Sequence, residues 1–106
     1  MAQRWAAPFD PQERKDFSRD WGNEMAPSGD TLASAAWTLP ADAQAAGLTI
    51  AAQNIAGAVA VVWFDASNPA ALDAALSGQD IEISHSITTT GGRTLHETIF
   101  LKIRDK

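Results

Sequence analysis

The sequence predicts an all-β fold, a two-layer sandwich with one short helix in a connection, and three observations lead there. Ile81, Ile83, His85 and Ile87 share one parity, and beyond Thr90-Gly91-Gly92-Arg93 so do Leu95, Glu97, Ile99, Leu101 and Ile103, the period-two signature of half-buried strands. Upstream, several short apolar runs are punctuated by proline and glycine at close intervals, the spacing of an antiparallel β domain. The stretch from Asn68 to Gly78 is the exception, with helix start and stop signals around Leu72 and Leu76.

Taken in order, residues 1–13 hold Trp5, Pro8, Phe9 and Pro11 without a period and are expected to form an irregular arm, with the sandwich domain spanning 14–106. Lys15, Phe17, Arg19 and Trp21 alternate with Asp16, Ser18 and Asp20, giving a first strand with its aromatics on one face. Gly22 to Asp30 reads as loop. Thr31 to Leu39 is a second strand, ended by Pro40. Ala41 to Ala46 has helical composition but is stopped by Gly47 within about one turn, too short to count as a helix. Leu48 to Gln53 and Gly57 to Asp65 give two further strands. Both parities of the latter are apolar, so it is expected to be buried on both faces, with Trp63 as well as Trp37 in the core. Asn68 suits an N-cap, Pro69 the first helical position and Gly78 the left-handed position after the last turn. The closing hairpin turns on Gly91-Gly92, where positive φ carries no Cβ penalty.

At 106 residues the chain is one domain, large enough to bury about two-thirds of its unfolded surface. It has no cysteine, so packing must hold the fold without disulfides or thiolate–metal links. Its longest apolar run, Ile55 to Phe64, is about half a bilayer span, and the start of the chain lacks a signal-peptide core, so synthesis in a cytoplasm and no membrane partner are expected. Thirteen acidic and eight basic residues leave a net charge of −5, which argues against nucleic acid as a partner. All the cations lie near the termini, and Thr31 to Gly92 contains none. That distribution fits an acidic solubilising surface or a dipolar subunit whose basic ends meet acidic neighbours.

The composition offers little to catalysis. His85 and His96 lie on opposite hairpin strands but lack a placed third ligand. The reading preferred is a hydrogen-bonded His85 and a solvent-facing His96. Asp65, Asp73, Asp80 and Glu82 are dispersed over turns and strand ends without the spacing of a calcium loop or an acid/base pair. Gly91-Gly92-Arg93 lacks the strand-to-helix setting of a phosphate cradle. No cofactor, metal or small-molecule substrate is expected, and no enzyme activity. Four tryptophans in a small β domain leave carbohydrate binding as the alternative, and it requires two of them exposed and coplanar. Trp5 is the expected protein-interface anchor. The interface expected beside it comprises Arg4, Phe9, Arg14 and Lys15 on the arm and first strand, and Leu72 and Leu76 on the helix-bearing connection.

Five segments, in order and over nearly the whole chain, carry a resemblance: Asp10-Pro11, Asp16-Phe17-Ser18-Arg19-Asp20-Trp21, Gly29-Asp30-Thr31-Leu32-Ala33-Ser34, Gly47-Leu48-Thr49 and Ile87-Thr88-Thr89-Thr90-Gly91-Gly92-Arg93-Thr94. With them the chain resembles the fiber-tail adaptor proteins of tailed bacteriophages. The departures are the length of the connection from Asn68 to Gly78 and of the arm before Asp10. The resemblance implies an immunoglobulin-like β-sandwich in the virion tail, of a phage, prophage or gene-transfer particle, that links fibers or another appendage to the tail. It implies tail and fiber proteins as partners, together with further copies in a ring, and no enzyme activity. Strand edges and the arm then become the means of pairing with neighbours.

Overall fold

The computed structural model describes residues 2–104. Among them, seven strands form two sheets. Strands β1 (Ala2–Arg4), β3 (Leu32–Thr38), β6 (Asp80–Thr89) and β7 (Thr94–Lys102) make a four-stranded sheet in the order β1-β7-β6-β3. Strands β2 (Lys15–Asp20), β4 (Leu48–Ala56) and β5 (Val59–Ala66) make a three-stranded sheet in the order β2-β5-β4. The hairpins β4–β5 and β6–β7 each stay within one sheet, whereas β1 to β2, β2 to β3, β3 to β4 and β5 to β6 change layer. The helices α1 (Gly22–Met25), α2 (Ala41–Ala45) and α3 (Pro69–Leu76) occupy the last three of these crossings. None of them is long and apolar enough to cross a membrane.

The closing hairpin sets the core. Its register pairs Ile81 with Leu101, Ile83 with Ile99, His85 with Glu97 and Ile87 with Leu95, so the shared parity faces one way. Ile81, Ile83, Ile87, Ile99 and Leu101 are buried against Phe17, Leu48, Val62 and Phe64 of the other sheet. Each such side chain contributes about 2 kcal/mol by leaving water. Helix α3 follows its sequence signals: the Asn68 side chain accepts from the Ala71 N–H at 3.2 Å, Pro69 opens the helix, and Gly78 has φ of +80°. Leu72 and Leu76, one turn apart, close the end of the core.

Five expectations need correction. Strand β5 is buried on one face only: Ala60, Val62 and Phe64 are enclosed, while Val59, Val61 and Trp63 are half-buried on the outer face. The three-stranded sheet is an outer layer, and an apolar run does not reveal that by itself. Trp63 is therefore not core. The arm is not irregular throughout, because β1 runs parallel to β7 with Arg4 opposite Phe100, and Phe9 forms a parallel bridge to Ile103. A strand of three residues is too short to show a period. Finally, the segment after Trp21 contains α1 and a 3-10 turn over Ala26–Ser28 in place of plain loop, and Ala41–Ala45, expected to be too short to count as a helix, forms the single turn α2.

Candidate functional site

The residues expected at an interface separate into two groups. Phe9, Leu72 and Leu76 are buried, so their contacts are internal. The Phe9 N–H donates to the Lys102 carbonyl at 2.8 Å and its own carbonyl accepts from the Arg104 N–H at 2.9 Å. Trp5 is half-buried and faces inward. Its Nε1 donates to the Ser18 carbonyl at 2.8 Å, and its ring lies 4.9 Å from Phe17, 5.8 Å from Trp37 and 5.9 Å from Phe64, centroid to centroid. Trp5 thus stitches the arm to both layers of the fold that carries it.

Arg4, Arg14 and Lys15 keep access to solvent. Arg4 pairs with Asp80 and lies 5.5 Å from the Phe100 ring. The Arg14 guanidinium covers Trp63 at 5.4 Å and the Lys15 ammonium approaches Phe17 at 5.6 Å.

The ionised residues nearest the interior brace the sandwich. Arg19 of β2 reaches across the layers to Glu97 of β7, Nε to Oε1 at 2.6 Å and Nη2 to Oε2 at 3.2 Å, a two-pronged contact of the kind that fixes guanidinium orientation. Glu24 holds the same guanidinium at 3.1 Å, and the indole of Trp21 lies 4.1 Å beneath it. Hydrogen bonding to Glu97 raises the Arg19 pKa further.

His85 lies fully buried between two tryptophans. Trp21 Nε1 donates to its Nε2 at 3.1 Å, and since an indole N–H only donates, the proton of the imidazole sits on Nδ1 and is given to the Ala36 carbonyl at 3.0 Å. Burial pushes the His85 pKa down despite that bond and the nearby Glu97. His96 lies exposed on the opposite face of β7. Among the described residues no group of three His, Cys, Asp or Glu side chains lies together as a metal site would require.

At one end of the molecule Asp30 organises the hairpin turn. Its Oδ1 accepts from the Gly91 N–H at 2.8 Å, the Thr31 N–H at 3.0 Å and the Thr90 hydroxyl at 3.0 Å, while Oδ2 meets Arg93 Nε at 3.2 Å. Hydrogen bonding from Thr89, then from Gly91, Thr31 and Thr90, holds its carboxyl far below the usual carboxylate range.

The side of the sandwich between β3 and β4 is more open. One hollow of about 430 Å³ is lined by residues that include Trp37, Leu39, Leu48 and Ile50, and a second of about 220 Å³ by Ala35, Gln53, Asn54 and Ile55. Sequence reasoning missed this seam, although a signal was present: Thr31 to Ala41 and Ala43 to Phe64 contain no charged residue.

The tryptophans form no sugar platform. Trp21 and Trp37 are buried, and the two half-buried rings, Trp5 and Trp63, lie on opposite faces of the three-stranded sheet.

Fold and side chains together define a small two-sheet β-sandwich in which Arg19, Glu97, His85 and Asp30 are engaged in structural links. Its residues 10–102 match the profile of the family described as Podophage GP4 fiber-tail adaptor protein gp77, and the chain belongs to that family. The family is one of phage structural adaptors, a virion tail component and not an enzyme class. No curated protein matches the chain.

Proposed function

We propose that this chain is a non-enzymatic virion protein that joins fibers, or another appendage, to the tail of a tailed phage, with copies arranged in a ring around the tail. The observation that carries the reading is the family match across nearly the whole sandwich. The engagement of Arg19, Glu97, His85 and Asp30 in bracing contacts supports a structural role. Division of the strands into sheets of four and three supports an immunoglobulin-like reading of the sandwich. The solvent-accessible cations Arg4, Arg14 and Lys15 give the chain a basic margin for acidic neighbours, consistent with contact between copies that each carry a net charge of −5.

Pull-down of tail and fiber proteins by the purified chain, beside a glycan-binding assay, tests the reading. Capture of a tail or fiber protein without glycan binding is expected. Glycan binding with no virion partner would replace it with the carbohydrate-binding alternative.

A further inference from the structure

The four sheet edges are not alike. Strand β1 is only three residues long, and β2 carries Lys15, Asp16, Arg19 and Asp20 within six residues, the short and charged edges that discourage pairing. Strand β4 is nine residues long, contains neither charge nor proline and, among the described residues, pairs on one side only, with β5. Strand β3 is likewise uncharged and, among the described residues, pairs only with β6. These two unguarded edges lie on the same side of the sandwich and frame the two hollows.

The seam is underfilled on its inner face. Ala35 sits opposite Ile87 and Trp37 opposite His85, so both point toward the other layer. Gln53, opposite the buried Val62, also points inward yet is exposed. One residue of β4, Ala51, is extra in the ladder, and this bulge brings both Ile50 and Ile55 to the inner face, opposite Phe64 and Ala60. Trp37, only 6% exposed, lines the larger hollow with an Nε1–H that has no acceptor among the described residues. Buried donors are nearly always paired.

We propose that this seam receives an extended, uncharged polypeptide segment of another virion protein, which adds as a strand to the free edge of β4 and accepts a hydrogen bond from Trp37 Nε1. The inference rests on the adaptor reading and names where the adaptor grips. An unpaired ladder calls for main-chain partners, as in recognition by strand addition. The hollows take small apolar side chains of such a segment, and the neutral walls make burial of a charge there costly. A second copy fits less well. The bulge at Ala51 interrupts edge-to-edge registry, and one rigid edge laid on another leaves the recessed hollows empty.

Hydrogen exchange of the amides of residues 48–56, compared between the free chain and purified particles, tests this, with Gln53→Glu and Trp37→Phe as variants. Slowed exchange over β4 in particles alone is expected. Gln53→Glu is expected to remain folded and to lose incorporation by at least about tenfold. Trp37→Phe removes the unpaired donor but also part of a buried ring stacked on His85, so it is expected to lower free-chain stability modestly and to weaken incorporation by more than that loss accounts for. Particles that contain the chain with β4 exchanging as fast as in the free protein would overturn the seam and leave the adaptor reading standing. Particles lacking the chain would overturn both. Slowed exchange in the free chain at high concentration, with a dimer in sedimentation, would place a second copy on the seam and overturn the foreign segment.

Discussion

Trp37 and His85 stack face to face, their ring centroids 3.6 Å apart and their planes 15° from parallel. The imidazole between Trp37 and Trp21 is neutral, and burial lowers its pKa in the folded chain. In the unfolded chain it protonates near pH 6.5. Stability is therefore full above that value, decreases as pH falls through it because the unfolded state takes up the proton first, and levels off once the folded imidazole also protonates. Urea unfolding at about pH 7.5 and about pH 5.5 is expected to show this loss. His85→Phe is expected to flatten the dependence over that window while lowering stability overall, because Trp21 Nε1 loses its acceptor.

Arg19 and Glu97 join the two sheets through a contact that neither sheet's hydrogen bonding supplies. Glu97→Gln keeps the shape but removes the charge opposite a mostly buried guanidinium, and is expected to cost about 2 kcal/mol in urea unfolding with an unchanged slope. Arg19→Lys is expected to cost a similar amount, since an ammonium cannot reproduce the two-pronged contact or the stacking over Trp21.

The strands were legible because parity is a local property. The register that pairs Ile83 with Ile99 and His85 with Glu97 follows from alternation and one turn, and α3 follows from Asn68, Pro69 and Gly78. What could not be read depended on which layer covers which face. Both parities of β5 are apolar, and only the assembled sandwich shows Trp63 outward. The arm contains anchors without periodicity, so Trp5 and Phe9 looked available for a partner, whereas intramolecular docking along β7 encloses Phe9 and turns Trp5 inward. The seam was missed for the complementary reason. It is defined by the absence of charge on two consecutive strands that belong to different sheets, and whose free edges come to lie on one side only through the layer crossing at α2.

Asp30 and Gly91 impose a steric condition on the hairpin turn. A Cβ on Gly91 would lie 2.9 Å from Asp30 Oδ2 and 3.1 Å from Oδ1, and the carboxylate cannot swing away without releasing the donors it satisfies. Gly91→Ala is expected to lower the melting temperature through loss of those bonds. Asp30→Asn is expected to lower it too and to remove part of the acid sensitivity. The carboxyl pKa is depressed in the folded chain, so its stabilisation is complete above the ordinary value of about 3.9 and is lost as pH falls below it. Melts recorded across that acid range, separate from the His85 window, distinguish the two groups.

Trp5 makes the arm part of the folded domain, and this has a direct protease readout. The Trp5 N–H donates to the Phe100 carbonyl at 3.1 Å, and its indole donates to the Ser18 carbonyl, so the peptide bond after Arg4 is held by β7 through the backbone and by β2 through the side chain. Limited trypsin digestion of the free protein is expected to leave that bond intact while the fold persists. Trp5→Ala removes the ring contacts to Phe17, Trp37 and Phe64 and the bond to Ser18. It is expected to cost about 2 kcal/mol, below the range for a fully buried tryptophan because Trp5 is half-exposed, and to open the site to cleavage. Rapid cleavage after Arg4 in the wild-type free chain, with protection only in particles, would mean that the arm docks on assembly. In that case the contact seen here with β7 would be one a neighbouring copy can also make.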